Sequence, residues 1–267
     1  MRYYYYYSLF FFLFASSLRA LQFIPMDETQ YDHLKAYGIV YQALKIGVKS
    51  YWLLNYQGGS FVLEDSKDVE LLSRKVGVTI RGISNAQFAE IMTIVENNNM
   101  EKVTLEKAPK IAVYTPPGKL PWDDAVTLAL TYAEIPYDEI YDKEVVTGAL
   151  KNYDWLHLHH EDFTGQYSKF YNSFRYASWY QRQKMELEKL SKSLGFSKVT
   201  ECKKTVALAI KNYVENGGFL FAMCSATNTL DITLASLGTD IVEAPYDGDG
   251  IDPQYKNKLD YTQCFAF

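Results

Sequence analysis

The chain has only three cysteines, Cys202, Cys224 and Cys264, only four histidines, and no excess of positive charge. An odd cysteine count excludes a framework in which every thiol pairs within the chain, so in an oxidising compartment at least one stays free or bonds between chains. With 27 Lys and Arg against 32 Asp and Glu the formal charge is −5, and no electrostatic attraction favours nucleic acid or an anionic membrane surface. Long apolar runs are also missing. The stretch Leu9 to Ala15 is far shorter than the ~20 residues a membrane-spanning helix needs, and no second candidate span follows it. G-x-G-x-x-G, a P-loop, H-E-x-x-H and C-x-x-C are all absent, so the expectation is no cofactor and no metal.

What is present suits a globular protein: 48% of residues are hydrophobic and 22% charged, enough to build a sizeable core and unlike a disordered or fibrous chain. A length of 267 residues fits one large domain or two small ones. The 23 tyrosines hint at tyrosine-lined surfaces or pockets beyond what a core needs. At the N-terminus Arg2 precedes Tyr3 to Tyr7 and the apolar run, and Ser16, Ser17 and Ala20 follow. This order, basic then apolar then small, reads as a signal peptide over residues 1–20, with cleavage after Ser17 or Ala20. No cysteine sits nearby to receive a lipid, so the expectation is a soluble, exported protein, periplasmic or extracellular. Loss of Arg2 and Arg19 from the 27 basic residues leaves 25 against 32 acidic ones.

Periodicity divides the remainder in two. Residues 21–106 alternate strand and helix signals: strand Leu21 to Pro25, helix Asp27 to Leu44 behind an Asp27 N-cap, strand Val48 to Tyr56, helix Asp68 to Lys75, strand Val78 to Ile83 and helix Asn85 to Glu96. The polar stretch Asn97 to Pro109 lacks a period and reads as a domain junction. The alternation restarts in 107–267 with strands Ile111 to Thr115, Tyr137 to Tyr141, Asp154 to His159 and Phe219 to Met223. Helices run over Trp122 to Ala133, Glu144 to Leu150, Trp179 to Leu194, Thr205 to Asn216 and Asn228 to Leu237, and Tyr261 to Phe267 reads as a further strand. Apolar strands separated by helices imply an α/β fold with a doubly wound parallel sheet, preceded by a smaller α/β region.

Two stretches carry chemistry. In Phe219-Leu220-Phe221-Ala222-Met223-Cys224-Ser225-Ala226-Thr227, a buried strand runs through a cysteine into a helix, with alanines two residues before and after it. This is the pattern of a nucleophile elbow, whose sharp turn tolerates only small neighbours. The following helix N-terminus favours a thiolate and offers N–H groups to an oxyanion; the bland alternative is a small core cysteine. The second stretch is Trp155-Leu156-His157-Leu158-His159-His160-Glu161-Asp162, which holds three of the four histidines. At the carboxyl end of a parallel strand, His159, His160 and Glu161 suit acid-base work and Asp162 suits substrate contact, with Ser225 and Thr227 beside the cysteine. On a strand His157 and His159 would share a face and His160 would take the other. Asp247-Gly248-Asp249-Gly250-Ile251-Asp252 reads as a solvated turn, because the glycine and glutamate of an EF-hand loop are out of place.

Ile24-Pro25-Met26-Asp27-Glu28-Thr29-Gln30, Trp52-Leu53-Leu54-Asn55-Tyr56, Pro121-Trp122-Asp123-Asp124-Ala125-Val126-Thr127-Leu128, the run His157 to Gln166 and Phe221 to Thr227 together resemble a family of exported bacterial proteins labelled asparagine synthetase B, within the class I glutamine amidotransferase-like superfamily. The resemblance implies a flavodoxin-like sheet and Cys224 as nucleophile, with a His and Glu supplied downstream. No histidine follows Cys224 in this sequence, so His159 or His160 is the local candidate for the base unless the chain continues past Phe267. The nucleotide loop S-G-G-x-D-S of glutamine-dependent synthetases is not matched by Gly58-Gly59-Ser60. The expected function is therefore a cysteine-dependent amide hydrolase, and the alternative is a non-catalytic envelope module that binds a small-molecule, peptide or glycan ligand. Protein recovered from the cell envelope is expected to begin after Ser17 or Ala20 on N-terminal sequencing; an intact Met1 would overturn the signal-peptide reading.

Overall fold

The computed structural model describes residues 21–117, 124–166 and 171–266. The expected signal peptide, Gly118, Trp122, Asp123 and Phe267 lie outside that set. The chain forms two compact units, divided between Ala108 and Pro109.

In the first unit, β1 (Leu21–Ile24), α1 (His33–Lys45), β2 (Ser50–Leu54), β3 (Phe61–Leu63), α2 (Lys67–Val76), β4 (Arg81–Ile83), α3 (Asn85–Glu96) and β5 (Glu101–Leu105) follow in order. The strands make one antiparallel sheet, β4-β1-β3-β2-β5. The period of two sends Phe23, Leu53 and Val62 to one face, where Ile91 and Val95 of α3 join them. It sends Ile24, Phe61 and Leu63 to the other, against Ala36, Ile39, Val40 and Ala43 of α1 and Val69 of α2. Helices cover both faces, so the inner strands β1 and β3 are largely apolar on both faces although the sheet is antiparallel. Three expectations change here, the first being that β3 forms between Tyr56 and Asp68, where no strand is expected. Asp27 does not cap α1: its carboxylate accepts from the Thr29 N–H at 3.0 Å in a local turn, while Asp32 accepts from the Lys35 N–H at 2.9 Å and starts the helix. The junction stretch also contains β5, an edge strand whose main chain pairs along all of β2 despite its polar side chains.

The second unit holds β6 (Ile111–Tyr114), α4 (Ala125–Tyr132), β7 (Asp138–Ile140), α5 (Asp142–Val146), β8 (Trp155–Leu158), α6 (Tyr171–Phe174), α7 (Ser178–Ser193), α8 (Val199–Glu215), β9 (Phe219–Ala222), α9 (Ser225–Ala235), α10 (Ala244–Asp247) and α11 (Tyr255–Lys258). Its sheet is parallel, in the order β7-β6-β8-β9. Ala112, Tyr114, Leu156 and Leu158 face a core built from Val145 of α5, Val206, Ala207 and Ile210 of α8, and Leu230 and Leu234 of α9. The thiol of Cys202 belongs to this core, and burial first, then the Asp142 charge, pushes its pKa up to about 11. Tyr261–Gln263 is a single 3-10 turn in place of the expected strand, since Asp260 accepts from the Thr262 N–H and Asp231 holds the Phe265 and Ala266 N–H groups.

A polar cluster lies inside this core. Lys203 of α8 reaches Asp142 Oδ1 at 2.9 Å, Tyr114 Oη at 2.9 Å and Tyr141 Oη at 3.2 Å, and Tyr114 Oη also donates to Asp142. Burial alone would depress the Lys203 pKa, but the Asp142 carboxylate and the Tyr141 phenol outweigh it and the net shift is upward. Burial pushes the Tyr141 phenol up to about 12, against the opposing pull of Lys203. Tyr114 stacks on Phe163 with ring centroids 5.2 Å apart, which anchors the loop after β8 to the cluster. Removing one partner of a buried pair leaves the other charge uncompensated. Lys203→Met is therefore expected to lower the unfolding free energy by about 3–5 kcal/mol, read from denaturant midpoints; a loss within error of zero would show that the pair contributes no net stability.

Candidate active site

In the second unit the chain leaves β6 toward β7 on one side, and leaves β8 toward β9 on the other. The carboxyl ends of β6 and β8 thus flank a topological switch point, the position where open parallel sheets bind ligands. Asp124 follows β6 and caps α4 by accepting from the Val126 N–H at 2.8 Å. The segment from His159 to Gln166 follows β8, and Cys224 follows β9 one strand further along.

His157, in the last turn of the pleat of β8, has no exposed surface. Its Nε2 is hydrogen-bonded to Asp124 Oδ2 at 2.6 Å, and its Nδ1 to the Phe221 carbonyl oxygen at 3.1 Å. The bond to the Asp124 carboxylate is charge-assisted. Burial pushes the Asp124 pKa up, but the Val126 N–H and the His157 ring outweigh it, and the carboxyl ends below its usual range. Neither residue stood out from the sequence. Asp124 read only as an acidic group in a helix start, and His157 only as the inner member of a histidine run. The one signal available was the D-x-x-T spacing of Asp124 and Thr127, whose hydroxyl bonds back to the Asp124 carbonyl at 2.9 Å.

His159 and His160 lie beyond the end of β8 rather than on opposite faces of it, and their rings pack together with centroids 4.0 Å apart. The strand stops because Leu158 is its last paired residue and Glu161 then folds back to accept the His159 N–H at 3.0 Å. The Nδ1 atom of His159 is buried without a hydrogen bond and faces Asp124 Oδ2 across 3.9 Å. Glu161 is buried, and its carbonyl accepts from Thr229 of α9 at 2.9 Å. Asp162 Oδ1 accepts from the Thr164 N–H and hydroxyl, while its Oδ2 is buried without a partner. Gly165 closes the loop at φ 76°, where a Cβ would lie 2.9 Å from the Thr200 Cα, so only glycine lets the loop pack on the start of α8.

Cys224 is exposed and sits between β9 and α9 with φ 51° and ψ −137°, outside the regions open to L-residues. The elbow is fixed on both sides: the Met223 N–H donates to the Leu158 carbonyl at 2.9 Å, and the Ala226 N–H donates to the His159 carbonyl at 3.1 Å. Ala226 is fully buried beneath the turn. These main-chain bonds bring the histidine loop and the cysteine to one end of the sheet. Among the described residues the Ser225 N–H, first in α9, has no acceptor, and no hydrogen bond joins the Cys224 thiol to an imidazole. The Thr227 hydroxyl bonds to the Cys224 carbonyl at 2.7 Å. Cys264 is half-buried; burial raises its pKa, and its thiol contacts the Asp231 carbonyl.

Among the described residues three carboxylates gather at one point, those of Asp240, Asp247 and Asp249. The Lys198 ammonium lies among them, at 3.4 Å from Asp240 and 3.2 Å from Asp247 and bonded to Asp249. A side-chain cation thus meets their charge, and Asp247 and Asp249 of the expected turn are tied to the start of α8.

Fold and site together define an α/β protein whose parallel-sheet unit presents an exposed cysteine at a strand-to-helix elbow beside a histidine loop. No family model, curated protein or solved structure matches the chain. Backbone strain of the kind at Cys224 costs on the order of 1–3 kcal/mol, and glycine escapes it at the cost of a more flexible unfolded chain. Cys224→Gly is expected to be more stable than Cys224→Ala by about 1–2 kcal/mol in chemical denaturation; equal stability would mean that the turn is relaxed.

Proposed function

We propose that this protein is an exported, cysteine-dependent amide hydrolase with a flavodoxin-like second unit of the class I glutamine amidotransferase-like kind, in which Cys224 is the nucleophile. The single observation that carries the reading is the exposed thiol held at φ 51° on a strand-to-helix turn, a strained placement that serves a nucleophile and has no role in packing. The strand order β7-β6-β8-β9 supports the fold assignment, being the first four strands of the 2-1-3-4-5 arrangement. The order of residues in 1–20, basic then apolar then small, supports export through a cleaved leader.

In this reading Cys224 Sγ attacks the carbonyl carbon of an amide and its proton passes to His159. Asp124, facing Nδ1 of that ring across 3.9 Å, stabilises the charged imidazole and turns the other nitrogen toward the reacting groups. The Ser225 N–H receives the oxyanion. The C–N bond breaks, the amine departs with the proton from His159, and a thioester remains. Water then attacks the thioester and gives a proton to His159; the carboxylic acid leaves and the thiol is restored. His160 packs against His159, and Glu161 holds its main chain, so both position the base. Asp162 and Thr227 line the same end of the unit for substrate contact.

One observation favours a second reading, a binding module without turnover: among the described residues no hydrogen bond joins the Cys224 thiol to an imidazole. Labelling by chloroacetamide, in which the thiolate displaces chloride, separates the two. Cys224 is expected to react first of the three cysteines, Cys224→Ala to abolish that labelling, and His159→Ala to slow it roughly tenfold or more. An unreactive Cys224 in the folded protein would overturn the hydrolase reading.

A further inference from the structure

One carboxylate oxygen faces two imidazoles beside the elbow. Oδ1 of Asp124 is held by the Val126 N–H at 2.8 Å, while Oδ2 lies 2.6 Å from Nε2 of His157 and 3.9 Å from Nδ1 of His159. The planes of these two rings differ by 25°, with centroids 6.2 Å apart, so both present an edge to the same carboxylate. A carbonyl oxygen only accepts, and the contact of His157 Nδ1 with the Phe221 carbonyl at 3.1 Å therefore places a proton on Nδ1. Nε2 is the nitrogen left to hold Asp124. Burial raises the Asp124 pKa, yet the Val126 N–H and the His157 ring outweigh it, so Asp124 meets both rings as a carboxylate. Such an oxygen has a second lone-pair direction. The buried Nδ1 of His159, which has no hydrogen bond among the described residues, faces this oxygen.

We infer that His157 is a positioning residue of the site: by fixing Oδ2 of Asp124 it selects the Nδ1–H tautomer of His159 and leaves the Nε2 lone pair of that ring as the base. The inference rests on the hydrolase reading above and names the residue that sets its base. A neutral imidazole carries one proton, and the nitrogen that faces a fixed acceptor is the one that keeps it. Val126 alone would fix one oxygen and leave the carboxylate free to turn. The second hold, from a ring with no exposed surface, fixes its plane and keeps water from competing for Oδ2. Closing the gap between His159 Nδ1 and that oxygen to hydrogen-bond length takes a shift of about 1 Å, of the kind that catalytic bonds make when substrate arrives. The same His157 ring reaches β9 just ahead of Cys224, so one side chain serves both the tautomer of the base and the register of the elbow.

Imidazole nitrogen NMR, above the pH range in which imidazoles titrate, reads the tautomer directly among the four histidines. In the unaltered protein His159 is expected to carry its proton on Nδ1; a proton on Nε2 overturns the proposal whatever the reactivity of Cys224. Asp124→Asn keeps the helix cap, since an asparagine oxygen also accepts from the Val126 N–H, but it turns a donor toward His159. The expected result is the Nε2–H tautomer, with chloroacetamide labelling of Cys224 slowed about tenfold, and a retained Nδ1–H in that variant overturns the proposal. His157→Gln and His157→Asn then divide the two bonds of the ring. A glutamine amide nitrogen reaches the place of Nε2 and still donates to Asp124, whereas an asparagine amide nitrogen reaches only that of Nδ1 and keeps the Phe221 bond alone. Glutamine is expected to preserve the His159 tautomer and hold labelling within about twofold, and asparagine to mix the tautomers and slow labelling about threefold or more. Equal losses in the two variants overturn the proposal and assign His157 to fold maintenance alone. If His157→Asn fails to fold, His157→Gln decides: a lost Nδ1–H tautomer overturns the proposal and a retained one supports it. An unreactive Cys224 beside a His159 that carries Nδ1–H would sink the hydrolase reading and leave the tautomer selection standing.

Discussion

A fully buried imidazole holds the working end of the sheet together. His157 bonds outward to Asp124 at the start of α4 and across to the Phe221 carbonyl in β9, so one side chain on β8 joins the segment after β6 to the neighbouring strand β9. A buried polar group without partners costs on the order of 1–3 kcal/mol, and this ring has two nitrogens to satisfy. The arrangement therefore has one low-energy geometry: α4 must begin where Asp124 meets Nε2, and β9 must lie in the register that sets Phe221 beside His157. That register also fixes the distance from the histidine loop to the elbow, because Met223 and Ala226 bond to Leu158 and His159 in turn.

A second buried polar cluster supports the same loop from below. Lys203, Tyr114, Tyr141 and Asp142 Oδ1 are joined by hydrogen bonds inside the α5–α8 core, while Asp142 Oδ2 is buried without a partner among the described residues, and Phe163 of the site loop stacks on Tyr114. An apolar core would fill this space with less desolvation penalty. What a charged cluster adds is direction, since Lys203 accepts only an arrangement in which carboxylate and phenols converge. Asp142 begins α5 just after β7 and Lys203 lies in the second turn of α8, so the cluster aligns the two helices and sets the height of Phe163. The loop is thus fixed from its buried side by aromatic packing and from its outer side by Glu161 and Thr229.

The parallel unit was the more legible in the sequence because its signals are local. Ile111 to Tyr114, Trp155 to Leu158 and Phe219 to Ala222 are short apolar runs between helical patterns, and such runs in the second unit pair in parallel. The first unit was less legible for a definite reason. Helices on both sides of an antiparallel sheet make its strands as apolar as parallel ones, as Phe23 and Ile24 on opposite faces of β1 illustrate, and periodicity does not record strand direction. β5 escaped notice because its pairing with β2 is a main-chain property, invisible in Glu101-Lys102-Val103-Thr104-Leu105. The elbow around Cys224 could be read from its small neighbours; the Asp124 to His157 bond could not, because it joins residues 33 positions apart and depends on where α4 starts.

Three features that each work against stability meet at one corner of this protein. Cys224 holds a backbone conformation that glycine would adopt at lower energy. Among the described residues β9 pairs with β8 alone and carries two exposed phenylalanines, an arrangement that invites association. His159 keeps a buried Nδ1 without a hydrogen bond, 3.9 Å from a carboxylate. None of these is needed to close the core, whose packing is complete on the opposite face of the sheet through α5, α8 and α9. A fold under selection for stability alone would place glycine at the turn, a charge on the edge and a partner at the imidazole. Strain, an edge strand and a buried imidazole nitrogen without a hydrogen bond are each local costs that the packing of the core does not require, and all three lie at the carboxyl end of β8 and β9, where open parallel sheets bind ligands.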